Sequence, residues 1–181
     1  AKNGFEGVLV EGWNVGWDGE WFFNGELFSF TEAYPDYDFE ELARYAKRKG
    51  VPIIGHHETS GDAANHEAQL EAALDLMAAR GVKAIKTGYV TDAHNLRFRH
   101  LDGSESREHQ ESQITTRHHL RVVTEAAKRK IAINPHEPVK DTGLRRTSPN
   151  WVSREGARGM EFNAWGSPPN GQSHVPTLVF T

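Results

Sequence analysis

The chain has 181 residues, 37% of them hydrophobic and 25% charged, and carries a formal net charge of -4. That is the make-up of one globular domain with its own core. It offers no basic footprint for nucleic acid, no apolar run long enough to span a membrane, and no cysteine for disulfides or thiolate metal sites. Ten histidines and five tryptophans are many for this length. Trp13, Trp17, Trp21, Trp151 and Trp165 suit either a core or a platform for the apolar face of a sugar.

The start, Ala1 with no initiator methionine, reads as cut from a longer polypeptide. GFEGVLVE (4–11) is apolar and β-branched and predicts a strand. DFEELARYAKRKG (38–50) predicts a helix with Phe39, Leu42, Ala43 and Ala46 on one face, capped by Asp38 and ended by Gly50. VPIIGHHE (51–58) is a second strand. Asn65 opens a helix that lines up Leu70, Leu74 and Met77 and stops at Gly81. VKAIKTGYV (82–90) is a third strand, and Thr91 to about Glu111 reads as a long polar loop. ITTRHHLRVVTEAAKRK (114–130) is helical, and KIAINPHEP (130–138) is a fourth strand. Ser148-Pro149 signals a short helix near Trp151 to Ala157. MEFNAW (160–165) and VPTLVFT (175–181) read as a fifth and a sixth strand.

Repeated βα units with near-continuous apolar strands predict an α/β fold with a parallel sheet. No G-x-G-x-x-G follows a strand, which disfavours a dinucleotide fold. Polar residues close the strands instead: Glu11, Glu58, Lys86, Glu137 and Glu161. That is where a (β/α)8 barrel collects catalytic groups, so the chain reads as part of such a TIM barrel.

The chemistry concentrates at GHHET (55–59) and NPHEP (134–138), each a His-Glu pair directly after an apolar strand. Strand alternation puts His56 and Glu58 on one face and leaves His57 on the other, in a structural role. Imidazoles beside a carboxylate suit zinc or iron, although neither H-x-H nor H-E-x-x-H occurs. Hydrogen bonding to neighbouring carboxylates or a ligand is the competing reading. Glu155 and Glu161 lie six residues apart with glycines between them, so both can reach one site; alternatively, Glu155 pairs with Arg154 or Arg158 in solvent. Converging carboxylates require a raised pKa or a cation. Oxygen ligands without thiolate favour calcium, and two opposed carboxylates suffice for glycoside hydrolysis.

Five segments resemble glycoside hydrolase family 97, the bacterial α-glucosidases and α-galactosidases. They are GFEGVLVEGWNVGWDGEW, FSFTEAYPDYDFEELARYAKRKGVPIIGHHETSG, AIKTGYV, AAKRKIAINPHEPVKDTGLRRTSPNW and SREGARGMEFNAWG. The resemblance implies a fragment, residues 1–181, of one (β/α)8 catalytic domain, about strands two to seven. The family's N-terminal β-sandwich and C-terminal β-domain would lie outside it. It implies calcium held by Glu137, Glu155 and Glu161, with a further ligand from the sandwich. Gly88 matches the position where the retaining branch has its aspartate nucleophile, so the resemblance is to the inverting branch. By the same matching Glu161 is the general acid, Glu58 and Glu137 activate water, and His56, His136 and Lys86 contact sugar hydroxyls. An oligosaccharide substrate and a periplasmic location follow from the same likeness. HNLRFRHLDGSESREHQ is longer than the family's usual connection, and Pro135 stands where a small residue is usual. Three other readings stay open: a retaining α-galactosidase, a zinc or iron metallohydrolase using His56, His57 or His136, and a non-catalytic carbohydrate-binding remnant.

Overall fold

In the computed structural model, residues 1–91, 94–157, 159–171 and 174 are described. Four parallel strands form the main sheet in the order β1-β2-β3-β6. β1 spans Val8–Leu9, β2 Ile53–Glu58, β3 Ala84–Gly88 and β6 Ala132–Pro135. Helices α1 (Phe39–Lys49), α2 (Ala63–Ala79) and α3 (Gln113–Lys128) connect them. The expected α/β architecture with a parallel sheet is therefore observed. The first strand is much shorter than its apolar stretch, because only Val8 and Leu9 pair, with Ile53 and Ile54.

The caps follow side-chain chemistry. Asp38 accepts from Glu41 N at 2.9 Å, and Gly50 ends α1 at φ 69°. α2 starts at Ala63 rather than Asn65, since the Asp62 carboxylate accepts from Asn65 N at 2.8 Å and makes Asp62 the cap. On α2, Leu70, Leu74 and Met77 pack with Ile85, Val122, Val123, Ala126 and Ile133 in the main core.

The polar stretch after β3 is not a bare loop. It contains an antiparallel hairpin, β4 (Leu96–Arg99) with β5 (Glu105–Glu108). Its alternation hides Leu96 and Phe98 against Tyr89 and Ala63 and turns the charged residues outward. Arg97 ties it down, reaching Asp62 Oδ2 through Nη2 at 2.6 Å and Nε at 2.9 Å. Asp62 thus serves α2 and the hairpin together. Asp62→Ala is expected to cost roughly 2–4 kcal/mol, more than a lone cap, because it also strands the half-buried Arg97; urea unfolding measures it.

Two further expectations are corrected. No helix covers Trp151 to Ala157; a short α4 (Leu144–Thr147) comes earlier, and the chain then runs alongside β6. Parallel bridges join Ile133 to Trp151 and His136 to Glu155. The strand-like neighbour of β6 is therefore this segment and not 160–165, which forms a turn and the short helix α5 (Phe162–Trp165). The sixth predicted strand, 175–181, lies outside the described residues. Among the described residues no helix is long and apolar enough to cross a membrane.

Candidate active site

Strand register assembles the site. Glu58 lies opposite Gly88, and His56 opposite Lys86, across β2 and β3. Pro135, the end of β6, lies opposite Thr87. His136 and Glu137 follow directly, with His136 N donating to Thr87 O at 2.7 Å. Glu155 arrives by its bridge to His136, and Glu137 N donates to Glu155 O at 3.2 Å. Glu137 itself has φ 49°, a left-handed turn that redirects the chain just past the strand.

The Glu58 carboxylate is buried, 4% exposed. Its Oε1 accepts from Ser60 N at 2.7 Å and Val90 N at 2.9 Å. Burial raises its pKa to about 7, the Glu137 charge adds to that rise, and the two amides oppose it. Glu137 Oε2 accepts from Tyr89 N at 3.0 Å. Consecutive amides, 89 and 90, therefore hold the two carboxylates. A Cβ at Gly88 would fall onto the Glu58 carboxylate.

His136 ties the other side together. Its Nδ1 is 3.0 Å from Glu137 Oε1, and its Nε2 is 2.9 Å from Glu155 Oε1. Half-burial lowers the imidazole pKa, but the hydrogen bond to Glu137 and the charges of Glu137 and Glu155 outweigh it and leave the value raised. Lys86 Nζ stands 3.1 Å from Glu11 Oε1 and 3.9 Å from Glu155 Oε2. His56 Nε2 is 3.7 Å from the same Glu11 oxygen. Burial lowers the His56 pKa to about 4 against the pull of the Glu11 charge, and the same Glu11 oxygen accepts from Lys86 Nζ. Trp13 Nε1 donates to His56 O at 2.9 Å, and Trp17 meets the ring edge-on at 5.5 Å.

The structure thus brings together His56, Glu58, Lys86, His136, Glu137 and Glu155. Among the described residues, Glu58, His136 and Glu137 form a group with one ligand atom each, all within 4.8 Å of one another. Glu161 sits in the exposed turn before α5, its carboxylate folded back against Gly159. Among the described residues no ion pair or hydrogen bond links it to Glu137 or Glu155. His57 turns to the helix side, Nδ1 3.3 Å from His66 Nε2, as strand alternation predicts. His56, His57 and His136 do not converge as a ligand set. Two cavities of about 440 Å³ flank the cluster, one bordered by Ser60, Val90 and Phe22, the other by Glu11, Trp17 and Tyr34. Sequence reasoning missed the 89–90 amides, which have no side-chain signature.

The family model described as Glycoside hydrolase 97 matches residues 1–157. The chain belongs to glycoside hydrolase family 97. A family 97 enzyme from Pseudoalteromonas sp. strain K8, solved with acarbose, is 54% identical with a TM-score of 0.95 and covers 99% of this chain. A variant of a family 97 enzyme from that strain, solved with panose, is 53% identical at the same TM-score. A retaining α-galactosidase of Bacteroides thetaiotaomicron is 29% identical over 186 residues, 99% of this chain. The chain spans 27% of the length of the Pseudoalteromonas structures and 22% of the galactosidase.

Proposed function

We propose that these residues form the centre of an inverting α-glucoside hydrolase that acts on starch-type oligosaccharides with bound calcium. The sheet is then an arc of a (β/α)8 barrel, the remaining strands and the flanking β-domains belong to the same longer polypeptide, and the enzyme works in the periplasm. The observation that carries the reading is the pairing of Glu58 with Gly88. Position 88 has no carboxylate, and a side chain there would collide with Glu58. A covalent nucleophile at 88 and Glu58 in its observed place exclude each other.

Glu58 and Glu137 then position and deprotonate water. A pKa of about 7 puts Glu58 near neutrality, where a general base combines availability with driving force. Glu161 protonates the leaving oxygen, and inversion sets acid and base roughly 6.5–9.5 Å apart. His56 and Lys86 offer donors to sugar hydroxyls. His136 has both ring nitrogens on carboxylates, so it reaches a hydroxyl only by releasing one of them. The donor set suits a hard divalent ion: Glu137 and Glu155 are gathered on the two sides of His136, and the set is carboxylate oxygen with no thiolate. Glu137, Glu155 and Glu161 would hold calcium, which when bound supplies positive charge beside the acid and the water.

The first-formed sugar decides the matter. Hydrolysis of an aryl α-glucoside by the full-length polypeptide, followed by NMR, is expected to release the β anomer first; release of the α anomer overturns inversion. The 29% identical retaining galactosidase favours a second reading, retention with galactosides, which the same experiment and a galactoside substrate distinguish. Bound zinc or iron on metal analysis would favour the metallohydrolase reading instead of calcium. A carbohydrate-binding remnant has no use for a buried carboxylate with a raised pKa.

A further inference from the structure

Behind the site, His57, His66, His118 and His119 pack between the sheet and helices α2 and α3, all buried. The reaction proposed above uses none of them. His118 has partners at both ring nitrogens. Its Nδ1 is 2.8 Å from Glu67 Oε1 on α2, and its Nε2 is 3.0 Å from the Tyr89 hydroxyl. Burial raises the Glu67 pKa, but the hydrogen bond from His118 and the charges of His118 and Arg121 outweigh it and leave it lowered. An ionised carboxylate only accepts, so Nδ1 carries its proton towards Glu67. Nε2 of that imidazole shares a hydrogen bond with the Tyr89 hydroxyl, which burial keeps protonated.

Tyr89 is the residue whose own N–H holds Glu137, and the next amide, Val90, holds Glu58. Both lie just past the end of β3, beyond its strand ladder. Gly88 before them has no side chain to restrain the turn. The Tyr89 ring is fully buried with Leu96 and Phe98. Packing holds the ring, and the hydrogen bond of its hydroxyl to His118 adds a directional anchor to residue 89.

We propose that Glu67, His118 and Tyr89 are positioning residues, a hydrogen-bonded chain that fixes the 89–90 backbone and so holds Glu58 and Glu137 at the spacing water activation needs. The proposal rests on the hydrolase reading above.

The test compares Tyr89→Phe, Glu67→Ala and Glu67→Gln in the full-length polypeptide, on an aryl α-glucoside. Phenylalanine keeps the buried ring and deletes only the anchor. The expected result is a roughly tenfold fall in kcat with KM within about twofold, since small misplacements of catalytic groups act on the chemical step. Glu67→Ala, at a partly exposed position, gives the same split. Glu67→Gln, whose amide oxygen still accepts from Nδ1, recovers most of the loss. Amide hydrogen exchange read by NMR quickens at Tyr89 and Val90 in Tyr89→Phe and Glu67→Ala, but not in Glu67→Gln. In an active parent, unchanged kcat in Tyr89→Phe and Glu67→Ala overturns the positioning role and leaves the chain as core packing. An equal loss of kcat in Glu67→Gln and Glu67→Ala overturns it as well. A parent without glycosidase activity overturns the hydrolase reading itself, and the positioning role falls with it.

Discussion

Replacing Glu58 with glutamine is expected to lower kcat by about 10²–10⁴-fold, the usual worth of a general base, and to make the chain more stable at pH 8. Both effects come from one carboxylate. Oε1 accepts from the amides of Ser60 and Val90, and a glutamine carbonyl can keep both bonds. The substitution therefore removes the ionisable function and leaves the backbone clamp. The sign of the stability change follows from linkage. The Glu58 pKa is raised from 4.5 to about 7 in the fold, so the folded state holds its proton more tightly than the unfolded state. Stability from this group is complete below about 4.5 and is lost as pH rises through about 7. The glutamine variant has no such loss, so its advantage opens between those values and reaches roughly 1–3 kcal/mol at pH 8. Urea unfolding of the two chains in chelator at pH 5 and pH 8 measures it, with kcat taken on the full-length polypeptide. A variant equally stable at both pH values would show that Glu58 carries no buried-charge penalty. Under the proposed hydrolysis, this destabilising group is kept because it serves as the base.

The fold was largely legible because its signals are local. Asp38 and Gly50 bound a helix by cap chemistry, and the apolar cores of β2, β3 and β6 announce buried parallel strands. The errors came where pairing, and not propensity, decides. Val8 and Leu9 are a strand only because Ile53 and Ile54 are beside them. Trp151 to Ala157 reads as helical from Ser148-Pro149, yet β6 draws Trp151 and Glu155 into a parallel alignment through Ile133 and His136. The hairpin after β3 was hidden in a polar stretch in which Leu96 and Phe98 find cover only in three dimensions. At the site, strand alternation correctly separated Glu58 from His57. It could not show that Glu155 reaches His136, since that depends on register. Nor could it show that residues 89 and 90 present their amides to two carboxylates from different strands.

Mild acid is expected to unfold this chain, with a midpoint between roughly pH 4 and 5.5, through histidine and ahead of the carboxylates. Burial drives His56 down to about 4 and His57 and His119 to about 3, with His66 also well below its ordinary value. Glu11 offsets part of the effect at His56, but the others have no such neighbour: His57 faces His66, and His66 faces His118 edge-on at 5.7 Å. A folded pKa depressed below the unfolded 6.5 means that the unfolded chain takes up protons first. The stability these groups contribute is complete above about 6.5 and drains as pH falls towards their folded values. Each withdraws about 1.4 kcal/mol per pH unit, so by pH 5 His56, His57 and His119 together remove up to about 6 kcal/mol, and His66 acts in the same direction. That is comparable with the whole stability of a typical domain, about 5–15 kcal/mol. Glu58 works in the opposite sense, gaining a proton in the fold over the same range, and offsets part of the loss. Far-UV circular dichroism across pH 3–7 follows the transition. His57→Asn with His66→Gln is expected to move the midpoint down, because an amide can share the 3.3 Å contact between these rings without a protonatable nitrogen. A midpoint unmoved in that pair, or a parent still folded at pH 3, would show that the buried imidazoles do not govern its acid limit.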